Sequence, residues 1–197
     1  RSGCDWSSDV CSSDLAVILH EQVKEKFDEI EKILITTHES AIRIISKEGI
    51  LNNPADRDHC LQYMTAIGLL KGDLVAEDYE DDVASDPRVD QLREKMFIEE
   101  DNRYSQEYLE ADKRSIANSI QIFFKDGSST EKIEVEYPIG HRRRREQGIP
   151  LLVEKFERNL ATQFSDKRCQ EILSLCLDQG TLENTSVPEF MNLFIAE

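Results

Sequence analysis

The stretch 51–72 constrains this chain more than any other, because it carries signals for both ends of a helix. Asn53 can accept from free N–H groups at a helix start, and Pro54 suits the first helical position. Asp56 stands three residues past the cap, where an acidic side chain can reach back. The apolar positions Cys60, Leu61, Met64, Ile67 and Gly68 then recur with helical spacing, and Gly72 supplies a stop. The pattern predicts one helix over 54–71 with a single buried face. Arg57 and His59 fall in its first turns, where unpaired N–H groups and the dipole favour an anion such as a carboxylate. The plainer alternative pairs Arg57 with Asp56 or Asp58 in a solvated first turn and makes His59 an ordinary boundary histidine.

Around this helix the chain alternates helical and extended patterns. Residues 17–30 read as an amphipathic helix, 33–37 as a strand rich in β-branched side chains, and 40–47 as a short helix containing Arg43. His38 beside Glu39 reads as structural, since one histidine next to one carboxylate is a weak site signal. Residues 73–86 hold seven acidic side chains and no basic one. The alternating oxygen ligands and central glycine of a calcium loop are missing there, so a solvated acidic loop with a short helix is expected. Pro87 opens a helix over 88–97, and 99–112 is polar and irregular.

The clearest β signal is 119–124 followed by 132–137, with Asp126-Gly127 opening the connection as in a hairpin. With 33–37 as a further strand, the fold class is α+β, a small antiparallel sheet with helices on one side. His141 with Arg142 to Arg145 forms the strongest positive cluster. Four arginines can clamp a polycarboxylate bidentately, although a basic run is more often solvated or paired with an acidic segment such as 73–86. Beyond Gly148, residues 151–164 carry Leu152, Phe156, Leu160 and Phe164 on one stripe. Cys169, Ile172, Leu173 and Cys176 continue the helical pattern, and 187–195 makes a third helix. Such stripes need a partner surface.

Residues 1–15 fit nothing that follows. They lack the basic and apolar regions of a signal peptide, and Asp5 to Leu15 matches the translation of a sequencing-library adapter. On that reading they are a disordered cloning scar, and the protein sequence proper begins near Ala16. The scar holds Arg1 against Asp5, Asp9 and Asp14, a net of −2, so the remainder carries −14 of the overall −16. That charge disfavours nucleic acid and anionic membranes as partners, and no apolar run approaches membrane-spanning length. With Cys4 and Cys11 set aside, Cys60, Cys169 and Cys176 remain, a scattered odd set that suggests reduced thiols in a cytoplasmic protein. No cysteine spacing marks a metal or iron–sulfur site.

The wording of 52–64, Asn-Asn-Pro-Ala-Asp-Arg-Asp-His-Cys-Leu-Gln-Tyr-Met, resembles the 2-methylcitrate dehydratases of the MmgE/PrpD superfamily. Further matching words are Asp78-Tyr79-Glu80-Asp81, Lys113-Arg114-Ser115-Ile116-Ala117-Asn118, Val135 to His141 and Gly148-Ile149-Pro150. The likeness runs in one register from about Ile33 onward, departs at Gly68, where proline is expected, and covers a C-terminal piece of a much longer chain. It implies a lid domain over 16–141 and, over 142–197, C-terminal helices of an all-α domain mostly absent from this chain. It implies a hydro-lyase that turns 2-methylcitrate into 2-methyl-cis-aconitate in propionate catabolism, with neither metal nor cofactor, and a homodimeric parent. Relatives acting as a cis-aconitate decarboxylase or a dicarboxylate epimerase are the near alternatives, and a non-catalytic acidic interaction module is the distant one. The resemblance assigns substrate binding to Arg57, His59 and His141 and places the proton-transfer groups upstream. His20, His38, His59 and His141 show no spacing of a catalytic pair.

Overall fold

Isoleucines alternating with other residues build a four-stranded sheet. Its inner strands are β1 (Ile30–Thr37) and β3 (Asn118–Phe124), flanked by β2 (Met96–Glu100) and β4 (Ile133–Val135) in the order β2-β1-β3-β4. In the computed structural model, which describes residues 11–195, Ile33 stands opposite Ile122 and Ile35 opposite Ile120. These four side chains are fully buried, and opposed β-branched pairs on one face are the unit of sheet stability. The row extends to Met96 and Ile98 on β2 and to Ile133 on β4. The connection from β3 to β4 turns where sequence places it. Gly127 adopts φ 85°, a conformation that suits glycine, and the Asp126 carboxylate accepts from the Ser128 N–H at 2.9 Å.

The sheet is mixed rather than purely antiparallel, because β2 runs parallel to β1. The expected helix over 88–97 ends early as α6 (Pro87–Arg93), and the chain leaves it to pair at the sheet edge. Five residues ending in two glutamates show too short an alternation to announce a strand; pairing with β1 decides it. Residues expected to be irregular hold α7 (Asn102–Leu109), whose N-cap Asp101 accepts from the Arg103 N–H at 2.8 Å.

Helix α1 (Cys11–Val23) sets Leu15, Ala16, Leu19 and Val23 in the core. The expectation that residues 1–15 are disordered is therefore corrected for 11–15, since Leu15 completes the buried stripe; residues 1–10 lie outside the described residues. Past Val23 the helix expected to 30 gives way to a 3-10 turn, Phe27–Glu29, and β1 starts at Ile30. His38 N-caps α2 (Glu39–Ile45), its Nδ1 accepting from the Ala41 N–H at 3.2 Å while its ring stacks on Tyr108. The histidine is structural.

The helix expected over 54–71 is two helices, α3 (Pro54–Asp58) and α4 (Leu61–Lys71). Asn53 caps as anticipated, accepting from the Asp56 N–H at 2.9 Å, whereas Asp56 reaches back to the N–H of Asn52 rather than of the cap itself. The break falls at His59 and Cys60. Cys60 is extended, its thiol donates to the Lys47 carbonyl at 3.6 Å, and Gln62 accepts the Lys47 N–H at 3.1 Å. Those tertiary bonds draw the start of α4 onto the α2–α3 connection, overriding local helix propensity. Nor is only one face of α4 buried. Every residue from Leu61 to Leu69 is enclosed, and the helix packs on both α1 and α6. Gly72 ends it at φ 71°.

The chain divides into two compact units, with the boundary between Arg144 and Arg145. Among the described residues the second unit holds α8 (Arg145–Leu160), α9 (Asp166–Leu177), α10 (Gln179–Asn184) and α11 (Val187–Asn192). Its core is Leu160, Cys169, Ile172 and Leu173, with Phe156, Phe164 and Phe194 packed around it. Helix α8 begins six residues before the expected 151 and carries Pro150 internally, at the cost of one backbone hydrogen bond. Leu152, Leu177, Val187 and Ile195 remain exposed.

Candidate substrate-binding cleft

The α2–α3 connection, the start of α4, α5 (Asp81–Ala84), α6 and β2 line a cleft of about 1030 Å³ in the first unit. Arg57 reaches it from the last turn of α3 and is only 5% exposed. A buried guanidinium must keep an anionic or carbonyl partner, and Arg57 has both. One Nη donates to the Tyr79 carbonyl at 2.7 Å and the other pairs with Asp81 at 2.7 Å. Its Nε has no partner among the described residues. Because α3 is five residues long and Arg57 stands in its last turn, the expected help from a helix N-terminus drops out.

Arg93, which no sequence signal marks, enters the same cleft from the end of α6. Its side chain is 10% exposed, pairs with Asp90 at 2.5 Å and donates to the Gly49 carbonyl at 2.8 Å. Its Nε likewise has no partner among the described residues. Lys47 is the third lining cation, 3.8 Å from Asp56.

In the acidic segment 73–86, Glu77, Glu80, Asp81 and Asp82 are exposed and α5 is the short helix expected there, whereas Asp78 departs from that reading. Asp78 is buried, accepts the Val75 N–H at 2.9 Å and holds the Lys71 ammonium. Tyr63 donates to the Asp78 carbonyl at 2.6 Å. Burial, opposed in part by the charge of Arg57, pushes the Tyr63 phenol up to about 12. The arginine at 93 also acts on this phenol, so both guanidiniums lie within electrostatic reach of one hydroxyl.

The other two sequence-assigned residues stand away from the cleft lining. His59 follows α3 with a side chain 56% exposed, and its Nδ1 lies 2.5 Å from Asp58. His141 is half-buried near the end of the first unit, with its ring tilted against Tyr137 at 4.5 Å. Its Nδ1 accepts the Arg143 N–H at 3.2 Å and its Nε2 faces the Arg114 carbonyl at 3.1 Å, a pair that selects the Nε2–H tautomer. Burial, with the charges of Arg142 and Arg143, holds its pKa below the usual histidine value. The Arg114 carbonyl belongs to a non-glycine residue at φ 47°, a left-handed conformation that costs energy. The neighbouring arginines take backbone carbonyls. Arg143 donates to the Asp112 carbonyl at 2.5 Å, in the connection after α7, and Arg144 to the Tyr137 carbonyl at 3.0 Å, just past β4.

Among the described residues Cys60, Cys169 and Cys176 are free thiols, and no helix is long and apolar enough to cross a membrane. Comparison with known proteins gives relatives over nearly the whole chain. The 2-methylcitrate dehydratase of Escherichia coli (strain K12) is 51% identical over 185 residues, covering 92% of this chain and 38% of that protein. The mitochondrial 2-methylcitrate dehydratase of Yarrowia lipolytica is 49% identical over 183 residues, 91% of this chain and 35% of that one. A protein of the same name from Cupriavidus necator is 51% identical over 166 residues, 84% of this chain and 34% of its own length. The chain thus spans little more than a third of the length of the curated relatives it matches. A model of the MmgE/PrpD C-terminal domain matches residues 11–179, a range that takes in α1, the whole sheet, the cleft and the first helices of the second unit, and the chain belongs to the MmgE/PrpD family.

Proposed function

We propose that this chain is the C-terminal part of a cytoplasmic, homodimeric hydro-lyase that converts 2-methylcitrate to 2-methyl-cis-aconitate in propionate catabolism. The observation that carries the reading is the identity of about one half to proteins named 2-methylcitrate dehydratase in bacteria and a yeast. Dehydration removes a proton alpha to a carboxylate and expels the hydroxyl, which takes up a proton and departs as water. It therefore needs a base, an acid and cationic or N–H groups that hold three carboxylates. Substrate binding falls to Arg57, with His59 and His141 as further contacts, while the acid and base come from outside this chain. The buried charge of Arg57 supports its part, since a guanidinium out of water attracts a carboxylate more strongly than one on the surface.

The test is a chimera of the Escherichia coli relative in which residues 11–195 of this chain replace the corresponding portion. Formation of 2-methyl-cis-aconitate from 2-methylcitrate is the expected result. A folded chimera that leaves 2-methylcitrate untouched but decarboxylates cis-aconitate or epimerises a dicarboxylate would overturn the reading.

A further inference from the structure

Arg57 and Arg93 share an arrangement that an ordinary pair of salt bridges does not explain. Each arginine side chain is at least nine-tenths buried and held by a backbone carbonyl, Tyr79 at 2.7 Å for one and Gly49 at 2.8 Å for the other. Each is capped on its outer side by a carboxylate that stands largely in water, Asp81 at 84% and Asp90 at 67% side-chain exposure. Both line the same cleft, and in both the Nε–H has no acceptor among the described residues. The cations are therefore anchored while their outer partners are free to swing away.

We propose that Asp81 and Asp90 are place-holding partners, and that the cleft takes a di- or tricarboxylate by exchanging them for the ligand's own carboxylates on Arg57 and Arg93. The inference deepens the substrate-binding role proposed for Arg57 and adds Arg93 to it. An exposed carboxylate contributes little to a salt bridge, so its release costs little. The buried guanidinium gains more from a bound carboxylate enclosed with it, because charge-assisted bonds strengthen as water is excluded. One ligand that engages both arginines also binds its second carboxylate intramolecularly, without a further loss of translational freedom. The remaining acids around the cleft, Glu48, Glu94 and Glu99, are exposed and screened by salt.

The test is titration of the 197-residue chain with tricarballylate, followed by calorimetry and by the arginine Nε–H resonances in NMR. Saturable binding is expected, with the Arg57 and Arg93 Nε–H signals shifting together. Asp81→Asn should tighten binding severalfold by removing the competitor. Arg93→Lys, which keeps the charge but loses the planar fork, should weaken it by about tenfold or more. Absence of saturable binding, shifts confined to other arginines, or an Asp81→Asn variant that binds no more tightly would each overturn the proposal. The wild-type NMR result decides the matter even if Arg93→Lys fails to fold. Turnover by the chimera without tricarballylate binding in this cleft would overturn the exchange site alone; cleft binding in the chain beside a folded, inactive chimera would overturn the dehydratase reading alone.

Discussion

Replacement of Gly72 by alanine tests how α1 is fastened to α4. Gly72 closes α4 at φ 71°, and a Cβ built there would lie 2.7 Å from Cδ2 and 2.9 Å from Cγ of His20 on α1. Both distances are well inside van der Waals contact, and the obstacle is a ring rather than the end of a flexible chain. The ring is also held, since His20 Nδ1–H donates to the Leu69 carbonyl at 2.8 Å. An L-residue in the left-handed region costs about 1–2 kcal/mol. Displacing His20 forfeits a hydrogen bond of about 1 kcal/mol. Gly72→Ala should therefore destabilise the chain by roughly 2–3 kcal/mol. Urea denaturation of the wild type, Gly72→Ala, His20→Ala and the double variant measures both parts. In the His20→Ala background only the backbone cost of about 1–2 kcal/mol should remain. A loss under roughly 0.5 kcal/mol, or an equal loss with and without His20, would refute the reasoning.

Two pH dependences follow from one buried and one half-buried group. The Tyr63 phenol has a folded pKa of about 12 against an ordinary 10.0, so its contribution is complete below pH 10.0 and is lost as pH rises through about 12. The difference corresponds to about 3 kcal/mol. Denaturant midpoints should fall over that window and fall less in Tyr63→Phe; equal slopes would contradict the assignment. For His141 the folded pKa lies below the ordinary 6.5. Its contribution is thus present above pH 6.5 and is lost as pH falls through the folded value, because the unfolded chain takes up the proton first. Thermal midpoints measured downward from neutral pH should drop more in the wild type than in His141→Asn, and parallel profiles would count against it.

Where one residue decides local structure, the sequence could be read directly. Asn53 caps, Gly72 stops a helix, Asp126-Gly127 turns a hairpin, and His38 is structural, each through a bond to its own neighbourhood. What escaped depends on distant partners. The break at His59 and Cys60 answers to Lys47, and β2 exists because β1 offers it an edge. Burial of Asp78 depends on Lys71 and Tyr63, which composition counts only as charge and aromatic content. The cleft divides in the same way. Arg57 is legible from its place after the Asn53 cap and in a family word, whereas Arg93 gains its place from a carbonyl 44 residues away at Gly49. Asp90 at i−3 was the local hint, and a helical i,i+3 ion pair is too common to mark a site.

The most direct measurement is the steady-state kinetics of the chimera with 2-methylcitrate, carrying Arg57 or its replacements Arg57→Ala and Arg57→Lys. Loss of a carboxylate contact made in both ground and transition states raises KM while kcat changes less. Arg57→Ala should raise KM by about tenfold or more, and Arg57→Lys should recover part of that loss. Turnover of 2-methylcitrate with a KM indifferent to Arg57 would contradict the role of the cleft, and a folded chimera with no turnover at all would contradict the function.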